Sequence, residues 1–425
     1  MIRLGMRLVK GGAMVGEWKM NAYFQELGCT ILTQWQGENF SLVKFPGIAQ
    51  EALEARPPCE QVDLPAFLCD FLRNDDQASQ TESGFGQPEL VAYDHPRFYI
   101  QVLFWLDGTT DIHQHEFSGA FHVMAGSSIH ANFSFENVEV VNPHFRTGEV
   151  RMTGIELLET GRTVQVHSGP GDIHSLFHLE TPSITVVVRT QNDPGTGPQL
   201  NYLPPHLAFD PAFADALMMR RKQLLDVLEV TEDPTYPQLV REMLADLDLE
   251  RGFFLLQHGR GHLLNLCCWE ETLAVFEQKH GALAAGVAVT LEECARRDII
   301  KELRCTVAEP EHRFFLALLL NGPDRDDLLA LVAQRFPEAP AIETILRWAE
   351  ELGETTDFGT AILDAYFPES VEVADEDQPD LLLGTLRHFL EGGDNVPKAL
   401  SSLSAEEIGL FRAAFIDSSL RVLIA

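Results

Sequence analysis

The chain has 425 residues, 45% hydrophobic and 22% charged, with 64 acidic against 31 basic side chains and a net charge of −33. A surface of that sign repels phosphate backbones and argues against nucleic acid as a partner. No stretch approaches the roughly 18 apolar residues of a membrane span, and the opening MIRLGMRLVKGGAMVGEWKM lacks the apolar core of a signal peptide.

The length predicts two or three domains. The seven cysteines are odd in number and include no Cys-x-x-Cys pair. Disulfides and structural zinc are therefore disfavoured, and a reducing, cytoplasmic setting fits best.

In chain order, residues 1–89 read as a helical region packed on a barrel. Segments NAYFQELGC and LPAFLCDFLRN have helical spacing, FSLVKFPG looks extended, and the polar stretch 74–89 reads as a loop. Residues 90–205 read as that antiparallel β-barrel: RFYIQVLFWL, AFHVMAGSSIHANFSF, VRMTGIELLE, RTVQVHSG and SITVVVRTQ are short, aromatic or β-branched, and separated by turn residues. The Pro/Gly-rich 193-DPGTGPQLNYLPP-205 marks its end. Residues 206–425 read as an all-α domain, with apolar residues at i, i+3, i+4 and i+7 through segment after segment. The fold class is thus α+β and multidomain, an antiparallel barrel preceded by short helices and followed by helices. The endings LLALVAQRFP and AILDAYFP hint at paired helices, and the acidic run 372–380 reads as a solvated loop.

The chemistry concentrates in 108-GTTDIHQHEFSGAFHVMAG-126. On a strand, His113 and His115 point the same way, about 6.5–7 Å apart, which lets both reach one metal ion. A later segment, 168-SGPGDIHSLFH-178, enters a strand carrying His174 and then His178. In an antiparallel barrel that strand can aim a third imidazole at the same point. Three imidazoles suit Fe, Zn, Ni or Cu.

These two segments resemble the paired motifs of the cupin superfamily, over roughly residues 90–192. Gly108, His113, His115 and Gly126 fall on the first motif, with Gly119 where a glutamate ligand would stand; Gly171 and His174 fall on the second. Within that superfamily the pattern is similar to the three-histidine thiol dioxygenases, with Trp105 and Ser118 also matching. The resemblance implies a cupin barrel and a mononuclear Fe(II) site, with Zn, Ni or Mn as other metals. Their cross-linking cysteine falls at or beside Ala120, and their Ser-x-His-x-Tyr triad aligns on Thr185, Val187 and Arg189. Fold and iron site are therefore implied, and cysteine as substrate is not.

On this reading His113, His115 and His174 are the metal ligands, and His178 is a further ligand or a pocket acid/base. Arg189, on VVVRT, binds a substrate anion; Arg97 is another candidate for that role. Phe104, Phe117, Phe121 and Phe177 form a dry pocket, and Asp111 or Asp172 fixes imidazole tautomers. His122, His130 and His167 receive no role. The functional expectation is an Fe(II)-dependent dioxygenase acting with O₂ on a small-molecule or peptide-derived substrate, with the helical half as a lid or recruiting surface. The alternatives are a non-oxidative metal-dependent isomerase or lyase, and a non-enzymatic ligand-binding cupin. In the helical half, 258-HGRGH-262 reads as structural, since two glycines argue against a continuous helix, and Cys267-Cys268 reads as core. A helix-turn-helix drawn through DRDDLLALVAQRFPEAPAIETILRWAEEL is too acidic to read DNA.

Overall fold

A computed structural model describes residues 19–73, 78–80, 85–106, 108–322, 324–355, 368, 371, 378–392, 400 and 403–424. The N-terminal extension, most of AILDAYFP, most of the acidic run and part of the 74–89 loop lie outside the described residues. No helix among them is long and apolar enough to cross a membrane, and all seven cysteines are free.

Helices α1 (Lys19–Gly37), α2 (Phe45–Ala55), α3 (Pro58–Gln61) and α4 (Leu64–Arg73) open the chain. Eleven strands come next: β1 (Glu89–His95), β2 (Phe98–Trp105), β3 (Ile112–His115), β4 (Gly119–Ala125), β5 (Ser127–Asn142), β6 (Phe145–Glu159), β7 (Thr163–Val166), β8 (Gly169–His178), β9 (Ser183–Thr190), β10 (Asn201–Leu203) and β11 (Leu207–Phe209). The chain then continues through α5 (Ala216–Val230), α6 (Tyr236–Asp246), α7 (Leu249–Asn265), α8 (Trp269–His280), α9 (Val287–Thr306), α10 (Pro310–Asn321), α11 (Arg325–Arg335), α12 (Ala341–Thr355), α13 (Gln378–Leu390) and α14 (Ala405–Ile416). The expected order of short helices, antiparallel barrel and helical region is the one observed.

The strands form two sheets. One has five strands in the order β1-β2-β9-β4-β7; the other closes on itself as β10-β11-β6-β5-β8-β3. Side chains alternate along each strand, so each sheet has two apolar faces. The outer face of the five-stranded sheet presents Phe98, Ile100, Val102, Ile184, Val186 and Val188 to α1 and α2, where Phe24, Ile31, Trp35 and Phe45 cover it. Its inner face presents Leu103, Trp105, Phe121 and Val187 to the barrel interior. On the far side, Ile129, Phe177 and Leu179 join one apolar cluster with Phe314–Leu320 of α10, in which every residue from Arg313 to Asn321 is buried.

Three local expectations are corrected. FSLVKFPG is a turn running into α2, with Pro46 in the first helical turn, where its missing N–H is no loss. The Pro/Gly-rich segment to residue 205 does not end the barrel, because it contributes β10 and the barrel continues to Phe209. Residues 258–262 are continuous helix within α7. Each glycine costs a helix about 1 kcal/mol, but Leu255, Leu256 and Leu263 on the same helix are fully buried, and Gly259 lets the Tyr236 hydroxyl approach closely. His258 and His262 pair there with Asp226 and Glu229 of α5, so their role is structural, as expected. Cys267 is exposed and not core.

The packing of α1 on β1 turns on Gly28. A Cβ added there would lie 2.5 Å from the ring of buried Tyr93. Gly28→Ala gains about 1 kcal/mol in helix propensity and loses about 1–3 kcal/mol to overpacking. We therefore expect a net fall in Tm, measured by thermal unfolding; an unchanged or raised Tm contradicts this packing.

Candidate metal centre

His113 and His174 are direct cross-strand partners on β3 and β8, and His115 stands two residues further along β3. The alternation that puts His113 and His115 on one face thus brings all three imidazoles together. One ring nitrogen from each lies within 4.8 Å of the others, and all three residues are buried. His115 Nε2 is 2.9 Å from His174 Nε2, and His113 Nε2 has no hydrogen-bond partner.

Hydrogen bonds behind the rings decide which nitrogens carry protons. His113 Nδ1 is 2.7 Å from the Asp111 carbonyl oxygen, which can only accept, so Nδ1 donates and Nε2 keeps its lone pair. Behind His174 stands His130, with Nε2 2.8 Å from His174 Nδ1. His130 Nδ1 in turn lies 3.2 Å from Glu156 Oε1. An ionised carboxylate only accepts, so His130 donates to Glu156, His174 donates to His130, and the His174 Nε2 lone pair turns toward His115.

Burial reinforces the neutral forms. It pushes the His113 pKa down, against the opposing pull of Asp111 and Asp172, and those of His115 and His174 well below the usual histidine range, where neighbouring imidazoles add to the effect. Neutral imidazoles with inward lone pairs are what a metal ion requires. Two nitrogens each about 2.1 Å from one ion, at right angles, would stand about 3 Å apart, and His115 and His174 are 2.9 Å apart. The three histidines fit a metal ion.

They open onto a cavity of about 230 Å³ lined by Leu103, Trp105, Phe117, Phe121, Leu176 and Val187, with Phe85 at its rim. Its polar lining includes Glu89, Gln101 and Arg189. The Gln101 side-chain amide donates to Glu89. The Arg189 guanidinium carbon sits 3.6 Å from the Phe117 ring centroid and 5.0 Å from that of Tyr99. Among the described residues Arg189 makes no ion pair within 4 Å.

Other expected residues fall in various places. Phe117 and Phe121 do line the cavity; Phe104 and Phe177 point to the opposite faces of their strands, into the contacts with the N-terminal helices and α10. Thr185, Val187 and Arg189, two apart on β9, all face the cavity, and Thr185 accepts from the Trp105 indole at 3.2 Å. His178 is not among the lining residues. It lies two residues past Leu176 on β8, stacked on Trp105 at 4.6 Å, with Nδ1 near the Ser128 and Ser183 hydroxyls. Arg97 is exposed and packs over Phe40. Asp111 acts through its backbone carbonyl, while the Asp172 carboxylate accepts from the His167 backbone N–H. Ser118 is hydrogen-bonded to Asp193, and buried His122 to Thr163. At Gly119 an added Cβ would run into the Val188 carbonyl oxygen, so the strand as packed has no room for a ligand there.

Sequence reasoning missed His130, Glu156, Glu89 and Gln101. His130 and Glu156 are opposed by the register of β5 with β6, which no local pattern reveals.

Fold and site together define an antiparallel β-barrel with a buried three-histidine centre that could hold a metal ion. No family model and no curated protein matches the chain. Among solved structures it is similar to the DMSP lyase DddQ from Ruegeria pomeroyi DSS-3, at 14% identity, over 44% of this chain and 98% of that one, with a TM-score of 0.24. A likeness that weak carries no inference about activity.

The buried histidines give a pH dependence. Burial lowers the pKa of His178 to about 3 and of His122 to about 4, alongside the three clustered rings. Below about pH 6.5 the unfolded chain takes up protons that the folded chain refuses, so stability is fully present above that value and is lost as pH falls. Each such group costs up to about 1.4 kcal/mol per pH unit. The Tm of the metal-free protein should fall steadily between about pH 7 and about pH 5; a flat profile would mean that these rings charge freely in the folded state.

Proposed function

We propose that the chain is a mononuclear metal enzyme of the cupin type, in which His113, His115 and His174 hold Fe(II), and that it uses O₂ to oxidise a small substrate of amino-acid or peptide origin, a thiol among the candidates. One observation carries the reading: three buried imidazoles, two of them with the proton fixed on the outer nitrogen, converge at the wall of an apolar cavity whose arginine makes no ion pair among the described residues. The donor set is three neutral nitrogens and no carboxylate, which suits iron better than harder ions such as Mn. When bound, iron(II) supplies neighbouring positions for substrate and dioxygen and the electrons for oxygen chemistry.

The chain's own residues do the rest. A partly buried guanidinium on the wall of an apolar cavity calls for an anion, so Arg189 receives the substrate carboxylate and orients it. The apolar wall keeps bulk water from this charge and so strengthens its attraction for the substrate. Glu156 and His130 keep the proton on His174 Nδ1. His178, expected as a further ligand or an acid/base, stacks on Trp105 and is not among the residues lining the cavity.

Metal analysis after anaerobic purification tests the centre. Stoichiometric iron, lost in His113→Ala and His174→Ala, is expected; tightly bound zinc or manganese without oxygen uptake moves the assignment to an isomerase or lyase, and a metal-free folded barrel removes the enzymatic reading. For recognition, oxygen uptake is screened against amino acids and thiol carboxylates. Arg189→Met should raise KM for the active substrate by about tenfold or more, one charge-assisted contact being worth about 1.5–3 kcal/mol. An unchanged KM places the carboxylate elsewhere.

A further inference from the structure

The helical region reaches the histidine-bearing strands through cations. On α9, Lys301 Nζ lies 2.7 Å from Asp111 Oδ1. Asp111 is the residue whose carbonyl holds His113 Nδ1, and Asn201 of β10 donates to its other carboxylate oxygen at 3.2 Å. One turn further along α9, fully buried Arg304 donates to the carbonyl of His178, at the end of the strand that carries His174. Arg313 of α10 donates to the next carbonyl, Leu179, and to the Thr181 hydroxyl. Helix α9 is anchored to its helical neighbours as well: Arg297 donates to Leu320 and Asn321 of α10, and Glu293 accepts from Arg296 and Arg421.

We propose that Lys301 is a positioning residue for the histidine centre, and that the helical region is thereby a structural part of that centre. The inference rests on the metal-site reading above. The His113 ring is oriented by a single backbone carbonyl, that of Asp111 just before β3, a strand of four residues. Such a segment has little ladder of its own to hold it. Lys301 and Asn201 grip the Asp111 side chain from two sides, which fixes the carbonyl and so keeps His113 Nε2 turned toward His115 and His174. Half-exposed ion pairs contribute little to stability, and Asp111 is 56% exposed. The contribution of Lys301 is therefore geometric.

Cobalt(II) is the probe, titrated into the metal-free full-length protein with absorption spectra recorded at each step. Wild type should bind stoichiometrically; its failure to bind overturns the metal-site reading itself. Lys301→Met should weaken cobalt affinity by about tenfold, the low end for losing an outer partner of a ligand, and alter the visible spectrum, with Lys301→Arg restoring both. Arg335→Met is the control: it breaks another ion pair between the helices and the barrel, Arg335 with Glu159 at 2.7 Å, away from the histidines, and should leave affinity and spectrum at wild-type values. The proposal is overturned if Lys301→Met binds cobalt as wild type does with the same spectrum, or if Arg335→Met shows the same loss.

Discussion

The site depends on where a few protons sit. An imidazole can offer a lone pair inward only if its hydrogen is on the other nitrogen, and that choice is made by what the outer nitrogen meets. For His113 the outer partner is a backbone carbonyl, which cannot donate. For His174 the decision is passed through His130 to Glu156, whose ionised carboxylate can only accept. Reversing that chain would set a lone pair of His130 against a carboxylate oxygen. The antiparallel register thus does more than bring three histidines together; by opposing His130 to Glu156 and His113 to His174 it also determines the state in which they meet.

Charge is divided with similar effect. The chain carries about twice as many acids as bases, yet it places Lys301, Arg304 and Arg313 at the seam between helices and barrel, where each binds backbone or side-chain oxygens beside β3 or β8. The two arginines satisfy the carbonyls of His178 and Leu179 at the end of β8. Because Phe177 and Ile129 share an apolar cluster with α10, the same seam is apolar at its centre and polar at its edge. A lid that swings on the barrel would have to break all of these contacts.

Legibility tracked interaction range. His113, His115 and His174 could be read because strand alternation and a Gly-rich turn are local signals. The pocket phenylalanines were half right for the same reason in reverse: adjacent residues on β2 and β8 face opposite sides, so Phe104 and Phe177 belong to other clusters, and their neighbours Leu103, Trp105 and Leu176 line the cavity. His130 and Glu156 were not legible, since their partnership is a cross-strand register across a long hairpin. The helix through 258–262 was hidden by its two glycines, where tertiary packing outweighs a local cost of about 2 kcal/mol. Lys301 and Asp111, 190 residues apart, leave no trace in any local pattern.

Gly119 connects the ligand set to the question of substrate. Its cross-strand partner on β9 is Arg189, so the position at which a fourth, carboxylate ligand would have stood adjoins the cavity's arginine. A glutamate there would have offered that guanidinium an anion from within the protein and lowered the charge of a bound divalent ion. With glycine, packed so closely on β9 that even a Cβ meets the Val188 carbonyl, both positive charges are left without a counter-charge from this position. On the proposed reading an incoming carboxylate would answer the guanidinium and a further electron-rich donor would answer the ion. The absent carboxylate and the cavity arginine would then be two aspects of one arrangement, in which the substrate brings the anion.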